Sequence, residues 1–335
     1  TDAVCDYAER NSTHPDAGGL DCSNTIQRRA SGSQDLKPEK SDNSSIGLVL
    51  TPLDNLTMTV DFWRIEKKDT IGLFGEENHT AIDLLARLDA GTSNCAAFEG
   101  NPLLGRNPID PDEIPVYLAA GICPAGELDF VNDRYQNLDT RKVEGFDFGI
   151  YYDLVTGIGD WNFTWRGSIY TRYDQEPGPA AQAIIDAFDS GITQFAPTGY
   201  GDILQMDGNQ EEKMNASLRW NRNDWGASVS WFYLGDFYQT AAVSDEGDLW
   251  HIPSHSTWNA TVDYRFNLLA SNTRVRFGVR NLTDERAPLA DRYFGYFADA
   301  HSDLGRAYYG DVRMDFLAKF RLMCPKPGSE SVADS

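Results

Sequence analysis

The sequence of 335 residues lacks any long hydrophobic run. A transmembrane helix needs about 18 or more consecutive apolar residues, and no such stretch occurs, so a helical membrane span is excluded. The chain also does not open with a basic segment followed by an apolar one, so we expect that it does not begin with a signal peptide. We therefore expect either the mature form of a protein or a fragment of one.

Catalytic motifs are also lacking. The five histidines (His14, His79, His251, His255 and His301) are scattered along the chain, and no nucleophile elbow or phosphate-binding loop occurs. Pairs of acidic residues are present in almost every polar segment and so carry little information. We expect no enzymatic activity, no cofactor, no metal site and no nucleic-acid partner.

Cysteine is scarce, with five residues, and four of them form two local groups. Cys5 and Cys22 share one polar stretch, Cys95 and Cys123 share another, and the fifth is left over near the C-terminus. Two local pairs are typical of disulfide bonds in an oxidising compartment such as the periplasm or the cell surface. A zinc site is the alternative, but the spacings are wider than those of zinc motifs and only His14 lies near any of these cysteines.

Aromatic residues are abundant, at 12%, although the mean hydropathy is negative. Long segments alternate between apolar and polar residues with a period of two, which predicts β-strands. From Trp161 to Tyr173 only Tyr170 and Thr171 depart from this alternation. Another segment, at 273–282, places its arginines on one face. Arginines on one face cannot line a dry core without partners, but they can line a water-filled lumen.

The alternation predicts nine strands. They are Ser41–Leu50, Leu56–Lys67, Thr140–Asp153, Asp160–Tyr173, Glu211–Trp220, Trp225–Tyr238, His255–Phe266, Thr273–Leu282 and Arg306–Phe316. These lengths suit tilted membrane strands, which need about 9–11 residues, whereas strands in soluble proteins have about 5–6. The lengths therefore favour a membrane barrel over a soluble β-protein.

The connections between the strands alternate between short and long. The short ones are Thr51–Asn55, Leu154–Gly159, Asn221–Asp224 and Asn267–Asn272; the long ones are Lys68–Asp139, Asp174–Gln210, Gln239–Ser254 and Thr283–Gly305. Outer-membrane barrels have short periplasmic turns and long extracellular loops, so we expect the short set to face the periplasm. Two stretches of the long loops, Thr80–Leu88 and Ala180–Phe188, have helical spacing and are interpreted as packing elements.

The acidic residues follow the same division. The long loops and residues 1–40 together account for the net charge of −22, and the strands and turns are close to neutral. We interpret this acidic face as a solvated outer surface that divalent cations could bridge to lipopolysaccharide. A site selective for cations is the alternative interpretation.

An ordered set of short motifs is distributed along the chain. The segments are Ser31–Ser41 (SGSQDLKPEKS), Val60–Thr70 (VDFWRIEKKDT), Val143–Tyr152 (VEGFDFGIYY), Phe277–Asp284 (FGVRNLTD), Pro288–Arg292 (PLADR) and Gly305–Phe316 (GRAYYGDVRMDF). They resemble late barrel strands of one protein family, the TonB-dependent receptors, including the last two strands and their loop. The order of the motifs is more specific than any one of them.

The resemblance implies an all-β fold, an antiparallel transmembrane β-barrel of 22 strands plugged from within by an N-terminal domain. Such receptors reside in the outer membrane of Gram-negative bacteria and import a scarce ligand with energy transmitted through TonB. Nine strands would form the C-terminal part of this barrel, and neither a plug nor a TonB box occurs in the sequence. We therefore expect a fragment or one part of a split receptor.

On this interpretation residues 1–40 form an extracellular loop and residues 41–316 form barrel. Residues 317–335 are a C-terminal extension, partly disordered, beyond the aromatic Phe316 with which the family usually ends. The expected partners are outer-membrane lipid and lipopolysaccharide, the TonB complex acting through the missing plug, and a small-molecule or oligomeric nutrient.

Ligand contact is the functional role left for the loops. The candidate residues are Asp291, Arg292, Tyr293, Tyr296 and Phe297 of the last long loop, with Trp250 and Tyr238 beside another. Exposed aromatic rings beside charges suit stacking on a sugar or contact with an aromatic siderophore. The alternative is that these rings pack the loop onto the barrel rim or join an interfacial aromatic belt.

The acidic mouth disfavours anionic ferric siderophores and haem unless local arginines compensate. We therefore expect a neutral or cationic cargo: an oligosaccharide, a peptide or a metal chelate. A passive porin would share the alternation and the loop asymmetry, and a structural or adhesive surface protein would use the loops alone. The ordered motifs favour the receptor over both.

Overall fold

A computed structural model describes residues 2–22, 27–197, 199–244, 246–268 and 271–315. The molecule is built on one large antiparallel sheet with folded loops at one end. The long strands of this sheet are β1 Lys40–Leu53, β2 Leu56–Lys68, β3 Arg141–Thr156, β4 Gly159–Gln175, β5 Glu212–Arg222, β6 Trp225–Leu234, β7 His255–Leu268, β8 Ser271–Arg280 and β9 Ala307–Asp315.

Each long strand pairs with its neighbour in chain order, from β1 at one edge to β9 at the other. The nine predicted strands are confirmed, with bounds that differ by a few residues, and the last predicted residue, Phe316, lies outside the described part of the chain. Within the described residues β1 and β9 do not pair with each other, so the sheet is open. This is the geometry of a barrel wall that further strands must complete.

One strand prediction is too long. The prediction Trp225–Tyr238 joins two elements, because β6 ends at Leu234 and a separate strand begins at Phe237. At the break Gly235 donates its N–H to the carbonyl oxygen of Glu212, the last ladder bond to β5. Beyond it the chain leaves the wall and forms a hairpin of its own.

The outer face of the sheet is apolar. Residues that lie opposite each other in neighbouring strands share a face, and the register places Val262 opposite Phe277 and Val275 opposite Val312. These side chains are 48%, 55%, 39% and 63% exposed. A band of exposed aliphatic and aromatic side chains on regular strands is the surface that contacts lipid in a transmembrane barrel.

Aromatic clusters lie at both ends of this apolar band. Trp225 and Tyr264 are 4.7 Å apart between ring centroids at the turn end, and Trp231 stacks on Tyr233 at 5.6 Å at the loop end. Trp225 and Tyr233 are eight positions apart, which corresponds to about 27 Å along the strand. At the usual tilt of barrel strands, this is about 20 Å along the membrane normal. This spacing suits the interface role predicted for the strand tryptophans.

A β-bulge interrupts β4 near its loop end. The register pairs Gly145 with Tyr170 and Glu144 with Arg172, which leaves Thr171 as the extra residue. Such an insertion shifts the side-chain alternation by one residue. The bulge explains why Tyr170 and Thr171 depart from the sequence pattern.

The long loops contain four helices and several short strands. The helices are α1 Ala3–Asn11, α2 Glu76–Ala90, α3 Ile114–Ala119 and α4 Pro179–Asp189, with 3₁₀ turns at Ala17–Gly19 and Cys95–Ala97. The short strands are Gln27–Ser31, Thr70–Gly72, Leu104–Arg106, Leu128–Arg134, Gln136–Leu138, Gly201–Asp202, Phe237–Val243 and Leu249–Ile252. The predicted helical stretches fall within α2 and α4. No helix of the described segments is long and apolar enough to cross a membrane.

The hydrophobic core lies in the loops. The largest core cluster contains Val4, Leu84, Ile122 and Ile184, each 0% exposed, and joins all four helices. Among the described residues no hydrophobic side chain of β1–β9 reaches this degree of burial. The wall is therefore a single layer, and the loops above it fold as a compact unit.

Candidate functional site

Two disulfide bonds hold the loop core together. They join Cys5 to Cys22 and Cys95 to Cys123, as the sequence predicts. The first closes the segment that carries α1, and the second closes the segment that follows α2. We call residues 2–22, 69–139 and 176–200 the disulfide-bonded loop unit.

Buried charges lie at the centre of this unit. Asp83 of α2 is 0% exposed and accepts hydrogen bonds from Arg87 Nε at 3.1 Å and Arg106 Nη2 at 3.2 Å. Arg106 also donates to both carboxylate oxygens of Asp2, at 2.6 and 3.0 Å. The expectation that the acidic loop residues form a solvated surface is therefore incomplete, because these carboxylates are buried and paired.

A second buried carboxylate fixes the start of α2. Asp133 accepts hydrogen bonds from the backbone N–H groups of Phe74 at 3.1 Å and Gly75 at 3.2 Å, and its Oδ1 lies 3.1 Å from His79 Nε2. Burial alone would raise the pKa of the Asp133 carboxyl, but these hydrogen bonds outweigh it and lower the pKa below its usual value. The loop unit is thus fixed by covalent and ionic contacts, which makes it a rigid support.

The predicted ligand-contact residues come together in a second assembly at the rim. Phe237, Ile252 and Phe297 form a small buried core, which we call the rim cluster. It joins the hairpin of Phe237–Val243 and Leu249–Ile252 to the last long loop. Phe237 packs edge-on against Phe297 at 4.9 Å between ring centroids and stacks on His301 at 5.8 Å.

Polar contacts fasten the last long loop to the hairpin. Gln239, which is 0% exposed, donates to the carbonyl oxygen of Asp291 at 2.7 Å and accepts from its N–H at 2.9 Å. Trp250 donates from Nε1 to the carbonyl oxygen of Leu289 at 3.1 Å. Tyr238 lies beside His251, with ring centroids 5.1 Å apart. The two loops therefore form one surface.

The aromatic side chains of the last long loop divide into two groups. Tyr293 is 95% exposed and Phe294 is 66% exposed, and their rings pack edge-on at 5.0 Å. Phe297 is only 4% exposed and lies beneath the guanidinium of Arg292, 4.4 Å from the ring centroid. The structure thus places Phe297 in the packing role that was the alternative interpretation, whereas Tyr293 and its neighbour Phe294 face solvent.

Buried polar atoms without hydrogen-bond partners concentrate beneath the rim cluster. Of eight such side-chain atoms in the described segments, four belong to Gln210, His255 and His301. Burial and the neighbouring His255 lower the pKa of His301 to about 4, so the ring is neutral at pH 7. Unpartnered polar atoms are rare in folded proteins, and their grouping makes this region a candidate site.

Two of the cavities at the loop end of the wall adjoin the rim assembly. A cleft of about 660 Å³ lies between the disulfide-bonded loop unit and the rim hairpin, with Arg28, Glu76, Phe195 and Thr240 in its lining. A smaller cavity of about 240 Å³ lies beside the rim cluster, lined by Gln210, Lys213, Asp207, Arg292, Phe297 and Asp299 among others. Sequence analysis did not single out Gln210 or Lys213, because a polar residue at the start of a strand gives no distinctive signal.

The inner face of the wall is charged. Arg265, Arg274 and Arg313 lie opposite one another on three neighbouring strands and line a cavity of about 560 Å³ near the turn end. Asp263 is 1% exposed and lies 3.4 Å from Arg219 Nη2. The predicted polar face is therefore the face of the wall opposite the apolar band. In the described part of the chain no group of three or more His, Cys, Asp or Glu side chains could hold a metal ion.

The chain is similar to known outer-membrane receptors. The family model described as TonB dependent receptor-like, beta-barrel matches residues 6–282. The siderophore receptor PirA from Acinetobacter baumannii superposes with a TM-score of 0.49 at 16% identity, over 86% of this chain and 33% of that chain. A mutant of the ferric enterobactin receptor PfeA from Pseudomonas aeruginosa gives 0.47 at 15% identity, over 83% and 31%. The ferric citrate transporter FecA in its unliganded form gives 0.46 at 14% identity, over 82% and 31%.

This chain thus spans about a third of the length of these solved receptors. No curated protein matches it by sequence. The family match, however, extends over most of the chain and covers eight of the nine long strands. Members of this family are transporters and not enzymes, and they reside in the outer membrane. The chain therefore belongs to the TonB-dependent receptor β-barrel family and is a protein of the Gram-negative outer membrane.

Proposed function

We propose that this chain forms barrel wall and extracellular loops of a receptor that imports a scarce nutrient by TonB-dependent uptake. The candidate cargoes are a siderophore, an oligosaccharide, a peptide or a metal chelate. The observation that carries the proposal is the pair of rigid loop assemblies above a lipid-facing wall, with a cleft of about 660 Å³ between them. Ligand sites are commonly preformed clefts of about 300–1,000 Å³.

The alternative is a passive porin or a structural barrel. A passive pore needs a constriction but has no use for a covalently fixed loop unit with a buried ionic centre. Asp83, Arg106 and Asp2 hold that unit in one conformation, which costs desolvation energy and is typical of a surface kept ready for a partner. This supports the receptor over the porin.

Energy coupling is the second part of the proposal. TonB would act through an N-terminal plug that occupies the lumen, and the charged inner face, with Arg265, Arg274 and Arg313, offers polar contacts to such a domain. The outer face would contact lipid along the apolar band. Above that band Glu144 lies 3.5 Å from both Arg64 and Arg172, at the level where lipopolysaccharide head groups would lie.

Ligand contact is proposed for the exposed residues of the rim assembly. Tyr293 is 95% exposed and Trp250 is 39% exposed. Both project from backbone that the rim cluster fixes. Asp291, Arg292, Tyr296 and Tyr238 lie on the same assembly and supply polar groups beside the rings.

The proposal is tested by uptake in cells that carry the complete receptor, with and without a functional TonB complex. We expect saturable uptake of one cargo class that stops when TonB is removed. A matched pair of variants localises the contact: Tyr293→Ala with Trp250→Ala should weaken binding, whereas lipid-facing Tyr308→Ala, which is 63% exposed in the wall, should not. Uptake that continues without TonB and never saturates would establish the passive pore instead.

A further inference from the structure

A small cavity with an acidic lining lies within the disulfide-bonded loop unit. It measures about 240 Å³ and shares no lining residue with the cleft or with the cavity beside the rim cluster. Its acidic lining residues are Asp2, Asp21, Glu113 and Glu127, and the lining contains no lysine, arginine or histidine. A cavity of this size accommodates one functional group of a ligand.

The floor of the cavity is apolar and its mouth is charged. Leu20 and Leu128 are buried in the floor, and the disulfide between Cys5 and Cys22 forms part of the wall. Two of the lining carboxylates, by contrast, are exposed to solvent and mark the mouth. The cavity therefore offers apolar walls beside negative charges, an environment that suits an aliphatic stem carrying a positive charge.

Tyr117 provides the most specific signal. Its side chain is only 3% exposed and lines the cavity, and its hydroxyl forms no hydrogen bond with any residue that the structure describes. Burial and the charges of Asp2 and Glu113 raise the pKa of Tyr117 to about 12, so the hydroxyl is neutral at pH 7. The large majority of buried polar atoms are paired, and a hydroxyl oxygen can accept as well as donate. The hydroxyl is therefore available to a group that enters the cavity.

Glu113 lies beside Tyr117 and lacks a counterion. Glu113 directly precedes α3 and Tyr117 lies four positions later, a spacing that places both side chains on one side of the helix. Among the described residues no cation lies within ion-pair distance of the Glu113 carboxylate. Burial and the charges of Asp110 and Glu127 raise its pKa. Its neighbours thus add negative charge, and a positive group is missing.

The neighbouring ionic centre does not supply this missing cation. Arg106 donates to both carboxylate oxygens of Asp2 and also to Asp83. Arg87 donates to Asp83 as well. Two carboxylates and two guanidinium groups neutralise one another there. The acidic excess of the cavity therefore comes from the other three acidic residues of its lining.

The arrangement suits an ammonium group better than a metal ion. Within the described segments no group of three or more His, Cys, Asp or Glu side chains could hold a metal ion. An alkylammonium has three N–H donors on a compact head and a flexible aliphatic stem. Carboxylate and hydroxyl oxygens accept these donors in charge-assisted hydrogen bonds, and apolar walls pack against the stem.

We propose that this cavity binds a primary alkylammonium group, with Glu113 as its counterion and the Tyr117 hydroxyl as a second acceptor. A free polyamine and the lysine side chain of a peptide are the two sources of such a group. The site goes beyond the proposed function, because it lies outside the cleft and does not require coupling to TonB. It also gives a location to the cation site that was the alternative interpretation of the acidic loops.

The test is equilibrium binding at pH 7 to the complete receptor, purified in detergent, with butylammonium, 1-butanol and Ca²⁺ as separate probes. We expect saturable binding of butylammonium and none of 1-butanol, which has the same stem without the charge. Glu113→Gln should weaken the binding of butylammonium by about tenfold, because it removes the counterion and keeps the shape of the side chain. Tyr117→Phe should weaken it by about threefold, because it removes one neutral acceptor.

Asp112→Asn is the matched control. Asp112 adjoins Glu113 and is exposed, but it does not line the cavity, so this variant should bind butylammonium as the unaltered receptor does. An equal loss of binding in Asp112→Asn would show general attraction to an acidic surface and would overturn the site. Binding that Glu113→Gln and Tyr117→Phe leave unchanged, or equal binding of 1-butanol, would overturn it too. Binding of Ca²⁺ as tight as that of butylammonium would replace the ammonium site with a metal site.

Two further probes distinguish the sources of the ammonium group. Tighter binding of putrescine identifies a free polyamine, and tighter binding of Nα-acetyl-lysine amide identifies a lysine side chain. The outcome is separable from the test of uptake. If butylammonium does not bind to the unaltered receptor, the site is wrong, whether or not uptake depends on TonB. If it binds as described but uptake continues without TonB, the site stands and the proposed function fails.

Discussion

The barrel wall and the disulfide-bonded loop unit achieve stability in opposite ways. In the wall, large apolar residues such as Val262 and Phe277 remain about half exposed, and no described hydrophobic side chain of the nine strands is buried. In the loop unit, Leu84 and Ile184 are 0% exposed, two disulfides close the chain and Asp83 is buried between two arginines. One region uses lipid as the solvent for its apolar side chains, and the other is organised like a small secreted protein.

The difference shows that one average composition can describe two regions that are stabilised by different physical effects. A mean hydropathy below zero describes neither region, since the wall alternates lipid-facing with water-facing residues and the loops are acidic outside with a core inside. Each region should therefore respond to substitution by its own rules. The following predictions, in order of decreasing effect, test that separation in the complete receptor.

The largest effect is expected in the loop unit from Asp83→Ala. Removal of the carboxylate leaves Arg87 and Arg106 buried without their shared partner, which should cost about 3–5 kcal/mol. Protease sensitivity and hydrogen exchange of residues 69–139 should rise sharply, while the heat-modifiable mobility of the barrel is unchanged. Asp89→Asn, at an exposed site on the same helix, is the control and should have little effect. Loss of barrel assembly in Asp83→Ala would show that the wall and the loop unit are not stabilised independently.

The wall is tested by two neighbouring residues that face opposite sides. Leu218 lies opposite Val229 on the outer face and is 42% exposed, whereas Ser217 lies opposite Ser230 on the inner face. Leu218→Arg should cost about 2–4 kcal/mol, because it places a charge in lipid near mid-height of the band. Ser217→Arg should be close to neutral. Folding yield into lipid vesicles measures both, and equal yields would contradict the assignment of faces.

The disulfides should stabilise the loop unit alone. Replacement of Cys5 and Cys22 together by serine removes a link across a sequence separation of 17 residues, worth about 3 kcal/mol. The bond between Cys95 and Cys123 spans 28 residues and should contribute slightly more. Thermal unfolding followed by hydrogen exchange should show earlier opening of the loops at an unchanged transition of the wall. A shift of the wall transition would show that the regions are coupled.

The smallest effect, when it is taken over a single pH unit, concerns the rim. Burial lowers the pKa of His301 to about 4 from a usual 6.5, so the docked loop holds this ring neutral. The docking of the last long loop onto the rim hairpin is most stable above pH 6.5. The free energy of docking should weaken by about 1.4 kcal/mol per pH unit as the pH falls from 6.5 toward 4, because His301 binds a proton more tightly in the released loop.

Hydrogen exchange of residues 283–305, corrected for intrinsic rates, measures this dependence. His301→Phe should remove it, because phenylalanine fills the same apolar site without titrating. His251→Gln is the control, since His251 is exposed and already bonded to Asp236 at 2.9 Å. A pH dependence that persists in His301→Phe would place the titrating group elsewhere.

The wall was predictable from the sequence because one face of each strand contacts lipid and the other faces water. This imposes a strict alternation of apolar and polar side chains. Even the irregularity at Tyr170 and Thr171 was visible as a break in that period, although only the register shows that it is a bulge. The end of β6 at Leu234 was not predictable, because the alternation continues into Phe237. It is the rim cluster, a tertiary contact, that draws Phe237 away from the wall.

The loops were predictable only in part. Cysteine spacing indicated both disulfides, and helical spacing indicated α2 and α4. Helix α1 was missed. Asp2 caps its start with a side chain that accepts from Val4 N at 3.2 Å, but Ala3–Asn11 contains no Leu, Ile, Met or Phe whose spacing would indicate a helix. The pairing of Asp2 with Arg106 was also hidden, since it joins residues 104 positions apart and each charge looks solvated in isolation.

The bulge at Thr171 has a consequence for how the wall meets its surroundings. Below it the odd-numbered residues of β4 point outward, and above it the even-numbered ones do, so the strand changes phase. This single insertion turns Arg172 outward, 3.5 Å from Glu144, instead of into the lumen. The change from an apolar to an ionic exterior is thus encoded by one added residue and not by a change in composition. The position of the bulge along the strand therefore sets the height at which the lipid-facing surface ends.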